Sequence, residues 1–249
     1  TTDVVAIHAD TPFKIFHGKT YIILSFLSDI AGIMVLVGLA LAYRRRYVKK
    51  PDYLKATNPE SEKFMYRILA SLVIIGYLIE GLRISAVGMP INEATWSPVG
   101  YFLGFIFSKF HLSDAAMAYT YRTFWFYHML NTMIFIVAIG YTKFFHIVSL
   151  PFQALITPDR RGAVLNPMNF ENENAETFGL GKISELTMKN RLDLIDCVEC
   201  GRCTQVCPAN QAAKPLDPKL IVTKMRDLTF ATHEKGEKDA EIWGDNPLY

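Results

Sequence analysis

A chain of 249 residues has room for one membrane domain and one small soluble module. Its composition, 51% hydrophobic and 20% charged with a net charge of +2, carries no basic footprint and no aromatic-lined groove for nucleic acid. The average hides two unlike halves. Most apolar residues lie before residue 150 in three long runs, and all four cysteines crowd between Cys197 and Cys207. Evenly spread cysteines would suggest a secreted disulfide framework, whereas this crowding suggests a metal site in a reducing compartment.

In chain order, residues 1–20 read as a segment on the outer side of a membrane, with Thr1 to Ala9 as the tail of an upstream helix. No cleavable signal peptide is visible. The first apolar run, 21–43, is interrupted only by Ser25, Ser28, Asp29 and two glycines. About 20 apolar residues cross the hydrocarbon core as a helix. The second run, about 64–88, carries Arg67, Glu80 and Arg83. The third, about 121–147, ends in a turn holding His146 and stops before Pro151. Between them, 101–110 is too short to span and reads as an interfacial or re-entrant helix. Residues 21–150 are thereby predicted to be a transmembrane domain.

Basic residues set the orientation. Arg44, Arg45, Arg46, Lys49, Lys50, Lys55 and Lys63 lie between the first two runs, but only Lys109 precedes Arg122 in the next link. Positive charge favours the cytoplasmic face, so the N-terminus is placed outside and the cysteines inside. An outside start without a signal implies upstream helices. Residues 151–184, with Pro151, Pro158 and Pro167, read as a linker, and 185–249 as a soluble module in which 215–228 is a short amphipathic helix.

That module holds the strongest motif, Cys197-Val-Glu-Cys200-Gly-Arg-Cys203-Thr-Gln-Val-Cys207-Pro208. This is C-x2-C-x2-C-x3-C-P, the bacterial-ferredoxin spacing for a [4Fe–4S] cluster. Cys197, Cys200 and Cys203 can wrap three corners of one cubane, and Cys207 normally ligates a second cluster. Gly201 permits the tight turn between them. Zinc or paired disulfides are the rival readings, but zinc sites use two separated C-x2-C pairs. No second cysteine run follows Cys207. The partner of Cys207 is expected from chain beyond Tyr249 or from another subunit.

His128 and His146 are 18 residues apart in the third run. As one helix this is roughly five turns and about 27 Å, one histidine near each membrane surface on one face. Two stacked b haems would use that arrangement, since neutral imidazole is a good axial ligand. Interfacial histidines, with His146 placed to suit the helix dipole, are the other reading. His8, His17 and His111 lie where they could complement His128, and nothing visible complements His146. Glu80 and Arg83, one turn apart, could pair, hold a haem propionate or line a quinone pocket, or simply snorkel; Asp29 is a weaker candidate of the same kind. Tyr121, Trp125, Phe126 and Tyr127 read as an aromatic belt.

Phe178-Gly-Leu-Gly-Lys-Ile-Ser-Glu-Leu-Thr and the stretch from Leu192 to Ala209 around the cysteines resemble the heterodisulfide-reductase-related membrane iron–sulfur oxidoreductases. Members are implicated as electron-transfer-flavoprotein:menaquinone oxidoreductases. The membrane part, with Tyr43-Arg-Arg-Arg-Tyr-Val and Gly81-Leu-Arg, resembles the gamma (cytochrome b) subunit of respiratory nitrate reductase. There, two histidines at this separation on the last helix ligate two b haems, and His128 and His146 match them. The resemblance further implies upstream helices with more haem ligands and a downstream second ferredoxin motif.

The combined expectation is an all-α protein of the prokaryotic cytoplasmic membrane: a multi-pass haem b domain followed by a helical ferredoxin-like [4Fe–4S] module on the cytoplasmic side. Electrons would pass from a donor such as electron-transfer flavoprotein, through clusters and two b haems, to menaquinone, with the reverse direction equally allowed. The rivals are a quinol-linked heterodisulfide reductase and a haem-free membrane anchor that docks an iron–sulfur partner.

Overall fold

The computed structural model describes residues 18–54, 59–157, 171, 181–236 and 242. The expected tail of an upstream helix, His8, His17 and most of the expected linker lie outside the described residues. Among the described residues the ordered elements are helical and no β-strand is present. The chain divides into two units, Thr1–Lys49 with Glu60–Ala138, and Lys50–Pro59 with Ile139–Tyr249.

The first unit is built on three long helices: α1 (Gly18–Tyr43), α2 (Pro59–Ala86) and, after the short α3 (Ile91–Trp96) and α4 (Pro98–Ser108), α5 (Asp114–Tyr141). α1 runs on through a wider π turn, Arg44–Lys49. Among the described residues, three helices are long and apolar enough to cross a membrane: Lys19–Lys49, Pro59–Ala86 and Asp114–Tyr141. They fall on the three apolar runs. α2 opens on a proline, whose missing N–H costs nothing in a first turn, followed by Glu60 and Glu62 near the positive end of the helix dipole. Glu62 is buried and takes Arg46 at 2.6 Å and the Tyr47 hydroxyl at 3.2 Å.

Helices in lipid associate through close backbone approach and a few polar contacts, since hydrocarbon offers no hydrophobic drive. Both devices are present. A Cβ on Gly81 of α2 would lie 2.7 Å from the Leu103 Cβ, and one on Gly104 would lie 3.1 Å from the Gly81 carbonyl oxygen, so α4 meets α2 main chain to main chain. The Asn131 amide of α5 donates to Ser71 of α2 at 2.8 Å, and the Tyr77 hydroxyl donates to the Asp29 carbonyl of α1 at 2.5 Å. Leu82 and Ala86 of α2 pack on Met117 and Tyr121 of α5. α1 and α5 otherwise leave apolar side chains such as Met34, Leu41, Met133 and Val137 exposed, as lipid-facing helices do.

The third helix departs from its expected course. α5 begins at Asp114, a turn or two earlier than expected, and ends at Tyr141 rather than near residue 147. Residues 142–144 form a turn before α6 (Phe145–Ile156). Gly140 is a weak helix former, and the Thr142 hydroxyl accepts from the Phe144 N–H at 3.3 Å, a local bond that competes with the helix ladder. His128 and His146 therefore lie on two helices, and the continuous five-turn spacing does not hold. Pro151 sits inside α6 instead of following its end, so the stretch expected as linker from 151 is helical as far as Ile156. The missing proline donor deprives only the Ile147 carbonyl.

In the second unit, a 3-10 turn (Ile183–Glu185) leads to α7 (Met188–Ile195), α8 (Arg202–Val206), α9 (Pro208–Gln211) and α10 (Pro218–Lys235). Thr187 caps α7 by accepting from the Asn190 N–H. Asp217 caps α10 at Lys219 and Leu220, and left-handed Gly236 ends it, so this helix is longer than the expected 215–228. Ile183, Leu186, Leu194 and Ile242 form the core, flanked by Val222, Met225 and Leu228 of α10. α6 turns Ser149 and Gln153 toward Asp196 and Asp193 at the end of α7, and exposes Ile147, Phe152 and Leu155.

Because the Gly81 contact is backbone on backbone, Gly81→Ala is expected to destabilise the membrane unit by roughly 1–3 kcal/mol, as overpacking does. A lowered thermal midpoint of the detergent-purified protein would register it, and an unchanged midpoint would contradict the close approach.

Candidate functional site

The cysteine loop starts where α7 stops. Cys197 follows the last turn, Cys200 sits in the loop, Cys203 lies in the first turn of α8, and Cys207 precedes Pro208, which opens α9. Two residues with left-handed backbone, Glu199 at φ 55° and Gly201 at φ 71°, curl the chain between the thiols. Gly201 is required twice over: its φ favours glycine, and a Cβ there would come within 2.1 Å of the Tyr53 carbonyl oxygen. The same carbonyl accepts from Lys219 Nζ at 3.0 Å, so the loop is seated on the segment that precedes α2.

All four thiols are free, with Cys200 and Cys203 exposed and Cys197 and Cys207 half-buried. Among the described residues no three His, Cys, Asp or Glu side chains are grouped to hold one metal ion. A cubane asks for something different, because each thiolate takes its own iron and the sulfurs ring the cluster. Cys197, Cys200 and Cys203, unpaired and set along one left-handed curl, are the thiols that would hold such a group. Burial pushes the Cys197 thiol up, while the Glu199 N–H on its sulfur and the Arg226 charge act in the opposite direction. Hydrogen bonds and cations at the sulfur are the groups that tune a bound cluster.

Glu199, between the first two cysteines, is 1% exposed. Its carboxylate takes Lys143 Nζ at 3.1 Å and Arg226 Nη2 at 3.1 Å. Lys143 belongs to the turn between α5 and α6, and Arg226 to α10. Motif spacing did not reveal this network. A glutamate inside a ligand loop was the available signal, but nothing local names its partners.

The Lys143 carbonyl also faces His146 Nδ1. A carbonyl can only accept, so Nδ1 would be the donor of this contact, and a ring held that way offers Nε2, as a metal-binding imidazole does. His128, on α5, packs near Gly76 of α2, where a Cβ would lie 3.7 Å from its Cε1. Its Nδ1 is buried with no hydrogen-bond partner among the described residues. An unsatisfied ring nitrogen inside an apolar helix bundle is costly, and ligation of the ring to a haem iron would offset it. Both residues fit the ligand role by these separate observations. His111 is exposed and lines a cavity of about 280 Å³ with Ser85, Ser108 and Asp114.

Glu80 and Arg83 both lie on α2, with different neighbours. Glu80 accepts from Ser25 at 2.9 Å, and the Arg83 guanidinium lies 5.8 Å from the centre of the Tyr21 ring. Of the expected aromatic belt, Trp125 and Phe126 meet edge to face, and Tyr121 is buried in the core.

Comparison with known proteins adds the lineage. The profile of the nitrate reductase gamma subunit matches residues 11–160. The EtfAB:quinone oxidoreductase of Syntrophomonas wolfei is 31% identical over 222 residues, which are 87% of this chain and 31% of that protein. The "Probable iron-sulfur-binding oxidoreductase FadF" of Bacillus subtilis is 29% identical over 218 residues, 84% of this chain and 29% of its own length. A "Probable membrane-anchored ferredoxin" of Chromohalobacter salexigens is 37% identical over 65 residues, 26% of this chain and 10% of that protein. The chain thus spans less than a third of the length of the first two relatives. No solved structure matches. The profile match covers more than half of the chain and includes all three membrane helices, and the protein belongs to the nitrate reductase gamma subunit family.

Proposed function

We propose that the chain carries electrons between a donor at the cytoplasmic face of a prokaryotic inner membrane and a quinone in the bilayer, as part of an oxidoreductase. Cys197, Cys200 and Cys203 hold a [4Fe–4S] cluster in a ferredoxin-like module, and Cys207 reaches a second one. His128 and His146 are axial ligands of two b haems. Electron-transfer flavoprotein is the donor and menaquinone the acceptor. The names of the first two relatives, an EtfAB:quinone oxidoreductase and an iron-sulfur-binding oxidoreductase, support this reading. So does the basic link of Arg44, Arg45, Arg46, Lys49 and Lys50, which favours the cytoplasmic face.

The observation that carries the proposal is Lys143. Its carbonyl holds the ring of His146, and its ammonium holds Glu199 between two of the cysteines. One residue thereby ties the loop built for the cluster to the imidazole built for the inner haem. A cubane and a b haem, when bound, each accept and release one electron without atom transfer. The chain contributes the rest. The thiolates fix the loop, Lys143 and Arg226 supply positive charge beside it, and the Lys143 carbonyl orients His146. Holding these groups on one short structural link keeps donor and acceptor ligands in register.

The optical spectrum of the dithionite-reduced protein separates this reading from a haem-free anchor. A b-type alpha band is expected, reduced in His128→Ala and in His146→Ala; the same band in both variants would sink the ligand assignment. Cys200→Ser and Gly201→Ala are expected to lose the low-temperature electron paramagnetic resonance of the reduced cluster, the second because the loop cannot close on Tyr53. Lys143→Gln removes a cation but keeps the main-chain contact to His146. Its cluster midpoint potential is expected to become more negative in a redox titration, with the alpha band retained; an unmoved potential would break the link between Lys143 and the cluster.

A further inference from the structure

Electron transfer leaves two carboxylates of the membrane unit without a role, buried Asp29 and half-buried Glu80. Asp29 of α1 is 1% exposed, and Glu80 of α2 is within hydrogen-bonding reach of it. Asp29 Oδ2 accepts from the Val99 N–H at 2.8 Å, in the first turn of α4, where unpaired backbone donors favour negative charge. Its second oxygen, Oδ1, is buried and has no partner among the described residues. Glu80 Oε1 accepts from Ser25 at 2.9 Å, and Ser25 also meets the Ser97 hydroxyl. A Cβ on Gly100 would come within 2.7 Å of Glu80 Cγ, so the glutamate is pressed against α4.

Among the described residues the charges around the pair are few. Arg83 lies one turn from Glu80 with its guanidinium near Tyr21. Tyr77 directs its hydroxyl proton to the Asp29 carbonyl, away from the carboxylate. Two ionised carboxyls in contact inside a membrane repel strongly. A single proton between them removes that repulsion and supplies the missing donor to Asp29 Oδ1. It also leaves one negative charge, which Arg83 balances.

We propose that Asp29 and Glu80 hold one proton between them and deliver it to a membrane quinone as the quinone is reduced. This rests on the electron-transfer reading above and adds the proton site to it. Reduction of a quinone consumes two electrons, from the redox centres of the protein, and two protons, forming two O–H bonds. One proton leaves the carboxyl pair, which water then reprotonates; the other comes from water directly.

Infrared spectroscopy of the purified holoprotein at neutral pH tests the shared proton. A carboxylic acid C=O band that shifts in heavy water is expected, and it should disappear in Glu80→Gln or Asp29→Asn, which preserve size. No such band in the unmodified protein, or one that persists in both variants, overturns the proposal. Delivery is tested with menadione as the quinone. In either variant that retains cluster and haem spectra, its reduction by the prereduced protein should slow roughly a hundredfold, the scale of a lost proton donor. An unchanged rate with the band gone overturns delivery. A protein without dithionite-reducible centres would overturn the electron-transfer reading instead, and the infrared band would still report on the pair.

Discussion

A carboxylate removed from water stays ionised only beside positive charge, and Glu199 meets that condition with two cations from two different elements. The cost of leaving such a charge unpaired is large, of order 3–5 kcal/mol when one partner of a buried pair is removed. Placing the carboxylate inside the cysteine loop therefore does more than close the loop. It brings α10 and the turn after α5 together at Glu199, between the first two cysteines. The left-handed backbone at Glu199 is the conformational expense of bringing its side chain inward.

The membrane unit follows a different rule. Its helices are held by small residues and single polar contacts, and they keep broad apolar faces exposed. The two carboxylates near α4 break the apolar pattern of α1 and α2, and their neighbours are serine hydroxyls and backbone donors. Carboxylates removed from water are thus met in two ways: Glu199 and Glu62 are paired with cations, whereas Asp29 and Glu80 meet backbone N–H groups and serine hydroxyls.

The features legible in the sequence were those with a local cause. Apolar runs of sufficient length marked α1, α2 and α5, because spanning depends on composition along one stretch. The cysteine spacing and Gly201 were legible because a ligand loop is made within eleven residues. The turn at residues 142–144 was not, since Gly140 and Thr142 are each tolerated inside helices and only the side-chain bond to Phe144 tips the balance. Pro151 misled in the opposite direction: proline usually marks an end, but here the contacts of Ser149 and Gln153 with Asp196 and Asp193 support a helix on both sides of it. The partners of Glu199 and the closeness of Asp29 to Glu80 join residues distant in the chain, and no periodicity records such a meeting. The spacing argument for His128 and His146 assumed one helix, which the turn at 142–144 breaks; what the two rings meet, an apolar bundle and the Lys143 carbonyl, has no local signature in the sequence.

The seat of the cysteine loop has a consequence for biogenesis. Tyr53 lies just after the first membrane helix, and Gly201 lies far downstream. Synthesis runs from the N-terminus, so the carbonyl that receives the loop has left the ribosome well before any cysteine does. A cysteine segment that emerges first meets a platform already anchored by two helices. The order of synthesis thus places the receiving carbonyl, and the helices on either side of it, ahead of the loop that closes on it.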